Sequence, residues 1–567
     1  MGAISAGQAI VRVLEAEGVT AVFGIPGGHT LPIYDALYDS TRIRHILVRH
    51  EQVAANMAAG FAQMTGEPGV CCVTAGPGAT NLVSGIAEAY IGALPIVILA
   101  GRGPTVAAHR GASQETAQEQ LFRPITKWSV RVDRTDLIVD VLRQAFTVAR
   151  SGKPGPVLVD IPRDILAQPV EFSDYRPVGR PAPPRANPEL VRRASGVLAL
   201  AKRPLVIAGG GVIASGAWDG VRRLAESISA PVVTTLAGRG SLPDDHLLAA
   251  GGIGHHRTWL TARLLSEADV VLGLGCRFED QETNWRPTYV PDPSATYIQV
   301  DIDPAEIGRS IVPAIGIVGD AALFIDDLLA ELCAAGHHAR AADGAAARLA
   351  ELARDKERLE AEVRELAAST QRPVHPLRII RTARDVFPRD SSVAIDVGVL
   401  AQGMAGAFPY FKMFEPRSLI VPSSFYGMGF SASALPVAKL VRPGSPALGF
   451  VGDGSFQMIM NVLPVAAECE LPVTWCVLND HALGSIYHGQ HAGFGNRIIA
   501  TTFKVQPDFA AIAEACGCRG EKVTEPDDVR PALDRALEAN ARGMPAVIDF
   551  HVAQERVAGS IDFFSKR

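Results

Sequence analysis

The stretch from Ala447 to Ser485 constrains this chain more than any other, because it reads as a buried strand, a glycine turn, a helix, a second strand and a second turn. The apolar run Ala447 to Val451 ends at Gly452-Asp453-Gly454-Ser455. Two glycines there let backbone amides approach an anion, and the following helix aims the positive end of its dipole at the same point. Asp453 is itself negative and does not bind that anion directly. It suits a divalent cation bridging to a diphosphate, since Mg²⁺ takes hard oxygen ligands in octahedral geometry. Asp480 follows at 480 − 453 = 27 residues, a helix plus a strand. Both carboxylates are therefore expected at the C-terminal edge of adjacent parallel strands, where open α/β sheets bind ligands. A bare Asp-Gly pair is more often a turn; the buried strand before it and Leu478-Asn479-Asp480 after the next strand give it functional meaning.

A length of 567 residues is expected to fold as roughly three to four domains. With 48% hydrophobic and 20% charged residues and a formal charge of −6, the chain has no basic field for nucleic acid. It carries no apolar run of membrane-spanning length and no signal-peptide pattern at Met1 to Gly7, so neither a membrane nor a nucleic-acid partner is expected and the location is read as cytoplasmic. The eight cysteines show no Cys-x-x-Cys spacing, and the Cys71-Cys72 pair lies in an apolar strand. Buried thiols are expected rather than disulfides or zinc.

Ser5 to Glu17 has helical apolar spacing, and Ala21 to Phe23 is a short strand ending at Gly24-Ile25-Pro26-Gly27-Gly28-His29. Ile46 to Val48 delivers Arg49-His50-Glu51 to a strand end, before a small-residue helix. A Glu there is by itself accounted for by the helix dipole. Further strands are expected at Val70 to Thr74, Leu94 to Ala100 and Pro154 to Ile161, making a parallel α/β sheet, and Pro177 to Pro188 reads as a linker.

Several segments taken together change the reading: Phe23 to Gly28, Leu31 to Leu37, Ile43 to Glu51, Thr74-Ala75-Gly76-Pro77-Gly78-Ala79-Thr80-Asn81 and the Gly452 to Ser455 and Leu478 to Asp480 turns. They resemble the acetolactate synthase family of thiamin diphosphate (ThDP) enzymes over nearly the whole chain. The resemblance implies three doubly wound parallel-sheet α/β domains: a pyrimidine-binding domain over 1–176, a central Rossmann-like domain over 190–337 and a diphosphate-binding domain over 373–552, with a tail over 553–567. It implies ThDP and Mg²⁺ as cofactors. Glu51 is carried over as the acid that hydrogen-bonds the pyrimidine ring and promotes loss of the thiazolium proton, which burial of the carboxyl would assist. The cofactor-binding set so implied is Gly27, Gly76, Asn81, Tyr426, Met428, Gly452, Gly454, Ser455, Leu483, Gly484 and Ser485, with Met428 wedging the cofactor and the Tyr426 carbonyl accepting from the aminopyrimidine. The metal set is Asp453, Asp480, where the family usually has Asn, and the carbonyl of Ala482. In this family Glu51 of one subunit meets the Asp453 motif of another, so a homodimer is the minimum and a homotetramer the expected assembly.

The middle of the chain has a strand from Pro204 to Ala208 followed by Gly209-Gly210-Gly211. The spacing is not Gly-x-Gly-x-x-Gly, and alone it is a weak signal. Gly238 to Gly240, Gly275 to Asp280 and Val300 to Glu306 resemble segments that hold FAD in the family, so FAD or ADP bound near Gly209, Gly210, Gly211, Arg277, Asp301 and Asp320 stands beside a domain that only packs. Ala339 to Thr370, rich in Glu and Arg, reads as a charged helical linker with a solvated face.

Departures from the family pattern concern the acceptor. Gln281 stands where the family has an Arg for the carboxylate of the second 2-oxoacid, Gly489 where it has a Trp, Ser485 for a Met and Ser113 for a Phe. His29, Gln114, Pro124 to Trp128 and His488 to Arg497 are similar to benzaldehyde lyase, in which a His and a Gln handle the hydroxyl proton of an acyloin. The near-neutral pKa of histidine suits such a relay. The reading is an enzyme with catalytic residues Glu51, His29 and Gln114. It would decarboxylate a 2-oxoacid with carboligation or, as the alternative, act on an acyloin with a neutral aldehyde or ketone as acceptor. A non-catalytic nucleotide-binding relative is the third alternative.

Overall fold

The computed structural model describes residues 2–283, 294–336 and 344–555. Residues 556–567 of the expected tail, and the segment 337–343 where the charged helix was expected to begin, lie outside the described residues.

Three six-stranded parallel sheets organise the chain. The first runs Arg44–Leu47, Ala21–Ile25, Gly69–Val73, Ile96–Arg102, Pro156–Pro162, Trp128–Arg131 across its width. Numbered within the sheet in chain order, that is 2-1-3-4-6-5. The third repeats this order with Leu419–Ile420, Ser392–Ile395, Ala447–Gly452, Thr474–Asn479, Ala546–His551 and Arg519–Val523. The central sheet runs Ala249–Gly252, Val232–Thr234, Pro204–Ala208, Val270–Leu274, Thr296–Asp301, Ile315–Val318, order 3-2-1-4-5-6, the arrangement of dinucleotide-binding sheets. A short antiparallel pair, Gly2–Ser5 with Pro169–Phe172, stands apart from the three. The inner strands are apolar runs because helices cover both faces: Val70, Cys71, Cys72 and Val73 are all fully buried, as are Leu448, Phe450 and Val451. All eight cysteines are free, and burial pushes the Cys72 thiol up to about 12.

The described residues form two compact units. One comprises Met1–Ala182, Phe425–Pro443 and Ile459–Leu471; the other Pro183–Ser424, Gly444–Met458 and Pro472–Arg567. In the first, the helix Phe430–Ala434 packs on Glu51–Thr65, whose alanines leave room for close approach, and Asn56 donates to Ser433 at 2.9 Å. In the second, the helix Ala345–Ala367 is more than a solvated linker. Leu352, Leu359 and Val363 lie at helical spacing on one buried face, each under 4% exposed. No helix among the described residues is long and apolar enough to cross a membrane.

Candidate active site

The first expected constellation sits where its 2-1-3-4-6-5 sheet reverses strand order, and the second at the ends of the third and fourth strands of the other such sheet. In the first unit, Ala21–Ile25 lies between Arg44–Leu47 and Gly69–Val73, with Ile25 level with Val73. The turns leaving these three strands carry His29, Glu51 and Thr74 to one edge. Glu51 is the first residue of the helix Glu51–Thr65, which His50 caps by accepting from the Gln52 amide. Its carboxyl is buried, 8% exposed, and Asn81 donates to it at 2.8 Å. The dipole accounts for an acid at this position but not for its burial.

His29 Nδ1 lies 3.3 Å from Thr74 Oγ1, and that hydroxyl donates to Gln114 Oε1 at 3.5 Å. The two residues predicted to share a proton are thus joined through Thr74, which sequence reasoning did not single out. Gln114 sits in left-handed backbone, φ 62°, against Gly76, φ 59°. A Cβ on Gly76 would lie 2.9 Å from the Gln114 Cβ, so glycine is needed there for conformation and for space. Burial, and then the positive charge of Arg163, hold His29 below the ordinary histidine range. Gln118, also unforeseen, accepts from the Gly76 amide at 2.9 Å and donates to Asp160 at 3.0 Å. Asp160 is fully buried and raised to about 6 by that burial, against the pull of its ion pair with Arg102. An acid inside the apolar strand Pro156–Pro162 was the available signal for this support.

Gly27 presses on Thr74, 2.4 Å from where a Cβ would sit. Tyr426 adopts left-handed backbone, φ 57°, ahead of Gly427, whose amide donates to Glu88 Oε2 at 2.9 Å. Met428 follows, half-buried, before the helix Phe430–Ala434.

In the second unit the expected strand adjacency holds: Ala447–Gly452 pairs with Thr474–Asn479 in parallel, Gly452 level with Leu478. Asp453 and Asp480 emerge together, 1% and 7% exposed. The helix after the first turn is only Asp453–Gln457, shorter than the sequence implied. Asp453 accepts from its neighbour Gly454 at 2.9 Å and from Gln506 Nε2 at 2.7 Å. Burial raises both carboxyls, and the charge of Asp453 raises Asp480 further. Asp480 Oδ2 is buried without a hydrogen-bond partner, beside Gly484, where a Cβ would come within 2.9 Å of it. Two buried acids with like charge and an orphaned oxygen are what a divalent cation relieves, so the donor set fits Mg²⁺. No cluster of three or more His, Cys, Asp or Glu side chains that could hold a metal ion occurs among the described residues. A Cβ on Gly452 would meet nothing within 4 Å, while one on Gly454 would strike Leu483 at 2.7 Å. The turn is thus open on one side and closely packed on the other. Ser455, 3% exposed, donates to the Val397 carbonyl at 3.4 Å, and Ser485 lies in the first turn of the helix Gly484–Gly493.

Comparison with known proteins decides what these paired sites belong to. The chain matches three parts of the thiamine pyrophosphate enzymes: the N-terminal TPP binding domain over residues 4–121, the central domain over 191–328 and the C-terminal TPP binding domain over 400–550. It is 37% identical to a probable acetolactate synthase large subunit of Methanocaldococcus jannaschii, covering 94% of this chain and 90% of that protein. It is 35% identical to the large subunit of acetolactate synthase isozyme 3 of Escherichia coli, covering 95% and 93%. The chain belongs to the acetolactate synthase family of thiamine pyrophosphate enzymes. It is therefore a ThDP-dependent enzyme.

Within this acetolactate synthase-like chain the central glycines have a local explanation. A Cβ on Gly209 would lie 2.1 Å from the Gly275 carbonyl oxygen, and one on Gly211 would lie 2.6 Å from its Cα, so the turn is pressed against the next strand's end. Gly210 has more room, its nearest neighbour being Ala237 at 3.2 Å. Asp320 caps the helix Ala321–Ala334 through the Ala322 and Leu323 amides, Asp301 accepts from the Asp303 amide at 2.9 Å, and Arg277 pairs with Glu279 at 3.3 Å. Gln281 is 6% exposed, and its Nε2 is buried without a partner.

Proposed function

We propose that the protein is a ThDP- and Mg²⁺-dependent carboligase that decarboxylates a 2-oxoacid and joins the remaining acyl unit to a second carbonyl compound. The observation that carries this reading is Glu51: a buried carboxyl, held by Asn81 at 2.8 Å, in a chain of this family. Bound ThDP would supply a carbon nucleophile and store the electron pair that decarboxylation releases. Glu51 would exchange a proton with the pyrimidine ring, the Tyr426 carbonyl would accept from its amino group, and Met428 would wedge against the cofactor. Asp453, Asp480 and the Ala482 carbonyl would hold Mg²⁺, with the diphosphate against Gly452, Gly454, Ser455 and the Leu483 to Ser485 turn. FAD or ADP in the central domain rests on its 3-2-1-4-5-6 strand order. The homodimer is proposed as the smallest active unit, with Glu51 of one chain serving Asp453 of another, and a homotetramer as the assembly. Eight free cysteines support the cytoplasm as its place.

A second reading is favoured by the His29, Thr74 and Gln114 contacts together with the neutral Gln281. In it the acceptor is a neutral aldehyde or ketone and the enzyme also cleaves acyloins, with His29 carrying the hydroxyl proton and Gln114 orienting it. Losing an Arg that pairs with a buried carboxylate forfeits about 2 to 5 kcal/mol, enough to redirect acceptor choice. Purified protein supplied with pyruvate, benzoylformate, benzoin or acetoin, with products identified by chromatography and mass spectrometry, distinguishes the two. Acetolactate from pyruvate supports the first, and benzaldehyde from benzoin the second. ThDP and Mg²⁺ that give neither turnover nor thermal stabilisation would overturn both.

A further inference from the structure

Gln506 has no assigned role, and its surroundings give it one. It lies in the segment before the helix Phe509–Ala515, and that segment is fastened to the turn carrying the proposed metal ligands. The Leu483 amide donates to the Thr501 carbonyl at 2.8 Å, Ala482 bridges Thr502, and the Phe503 amide donates to the His481 carbonyl at 2.9 Å. The carboxamide is thereby delivered to the two carboxylates from a rigid support. One nitrogen, Nε2, serves two acceptors: Asp453 Oδ2 at 2.7 Å and Asn479 Oδ1 at 2.8 Å.

The direction of these bonds follows from their far end. Asp549, 1% exposed, accepts from Asn479 Nδ2 at 2.9 Å. Because a carboxylate only accepts, Asn479 must turn its nitrogen to Asp549 and its oxygen to Gln506. Gln506 must then present its NH₂, and that NH₂ faces Asp453. Its Oε1 is left buried with no partner, a cost that the opposite amide orientation would not relieve without setting oxygen against oxygen at both contacts. The chain of bonds Gln506, Asn479, Asp549 thus fixes a donor on the carboxylate beside Asp480.

We propose that Gln506 is a positioning residue of the cation site, whose Nε2, oriented by Asn479 and Asp549, holds the Asp453 carboxylate in its metal-ligating rotamer. This rests on the Mg²⁺ reading above.

The test uses full-length protein with ThDP and reads Mn²⁺ binding by electron paramagnetic resonance, with metal-free thermal melting as the measure of fold. Gln506→Met keeps the side-chain volume and removes the donor. It is expected to weaken Mn²⁺ binding about tenfold, the loss of one charge-assisted hydrogen bond, with the metal-free melting temperature unchanged. Gln506→Leu is expected to do the same and covers a folding failure of the first variant. Unchanged Mn²⁺ affinity in a folded variant overturns the proposal. So does a fall in metal-free melting in both variants that matches their loss of Mn²⁺, since Gln506 would then support the fold alone. Wild-type protein that binds no Mn²⁺ with ThDP refutes instead the metal reading beneath it.

Discussion

His29 shows how far a single side chain's surroundings set its chemistry. Burial and the charge of Arg163 both disfavour its protonated form, so the neutral imidazole persists below the ordinary histidine pKa of about 6.5. Between its lowered native pKa and that value the unfolded chain binds more protons, and the contribution of His29 to stability therefore rises with pH across this window and is lost as pH falls through it. Acyloin turnover that needs neutral His29 should hold down to pH values below 6.5, then fall. In Arg163→Gln that acidic limb should move upward, read from a kcat/KM against pH profile. His29→Ala should slow acyloin cleavage or formation by about 10² to 10⁴ while sparing hydrogen exchange at the thiazolium carbon. Undiminished acetolactate formation in that variant would remove His29 from the mechanism. Glu51→Gln tests the other end: turnover should disappear while ThDP still binds in a calorimetric titration. Near-normal turnover would sink that assignment.

At the scale of elements, the site depends on turns that only small residues allow. Gly76 is the clearest case, since its φ of 59° and the nearby Gln114 Cβ both exclude a side chain. Gly76→Ala should destabilise the protein by about 1 to 3 kcal/mol, seen as a lower urea midpoint. It should also lower acyloin activity by displacing Gln114, whereas an unaltered midpoint and rate would mean the turn relaxes freely. These glycines were legible in the sequence because they punctuate apolar runs. The contacts they permit were not. Thr74, Gln118, Asp160 and Gln506 reach the sites from segments distant in sequence from the groups they support there, and no local periodicity marks them.

For the whole molecule, cofactor, metal and assembly are linked. Ligands that bind only the folded protein raise its melting temperature, so ThDP with Mg²⁺ should stabilise wild type. A chelator, or Asp453→Ala, should abolish the Mg²⁺-dependent part of that stabilisation. If Glu51 of one chain serves Asp453 of another, mixing Glu51→Gln with Asp453→Ala protein under exchanging conditions should restore about a quarter of wild-type activity through hybrid dimers. No restoration under demonstrated subunit exchange would argue for sites built within one chain.

Apolar strands covered on both faces, each ending in a glycine turn, were enough in the sequence to establish parallel α/β sheets and to place Asp453 with Asp480, and Glu51 with His29, at strand ends, because strand direction and pleat are local consequences of composition. Tertiary structure alone decided the strand orders, the buried face of Ala345–Ala367 and the hydrogen-bond partners. It joined His29 to Gln114 through Thr74, and Asp453 to Asp549 through Gln506 and Asn479. Those pairings depend on side chains brought together from distant segments, and a buried donor or acceptor finds its partner only once the sheet has placed both.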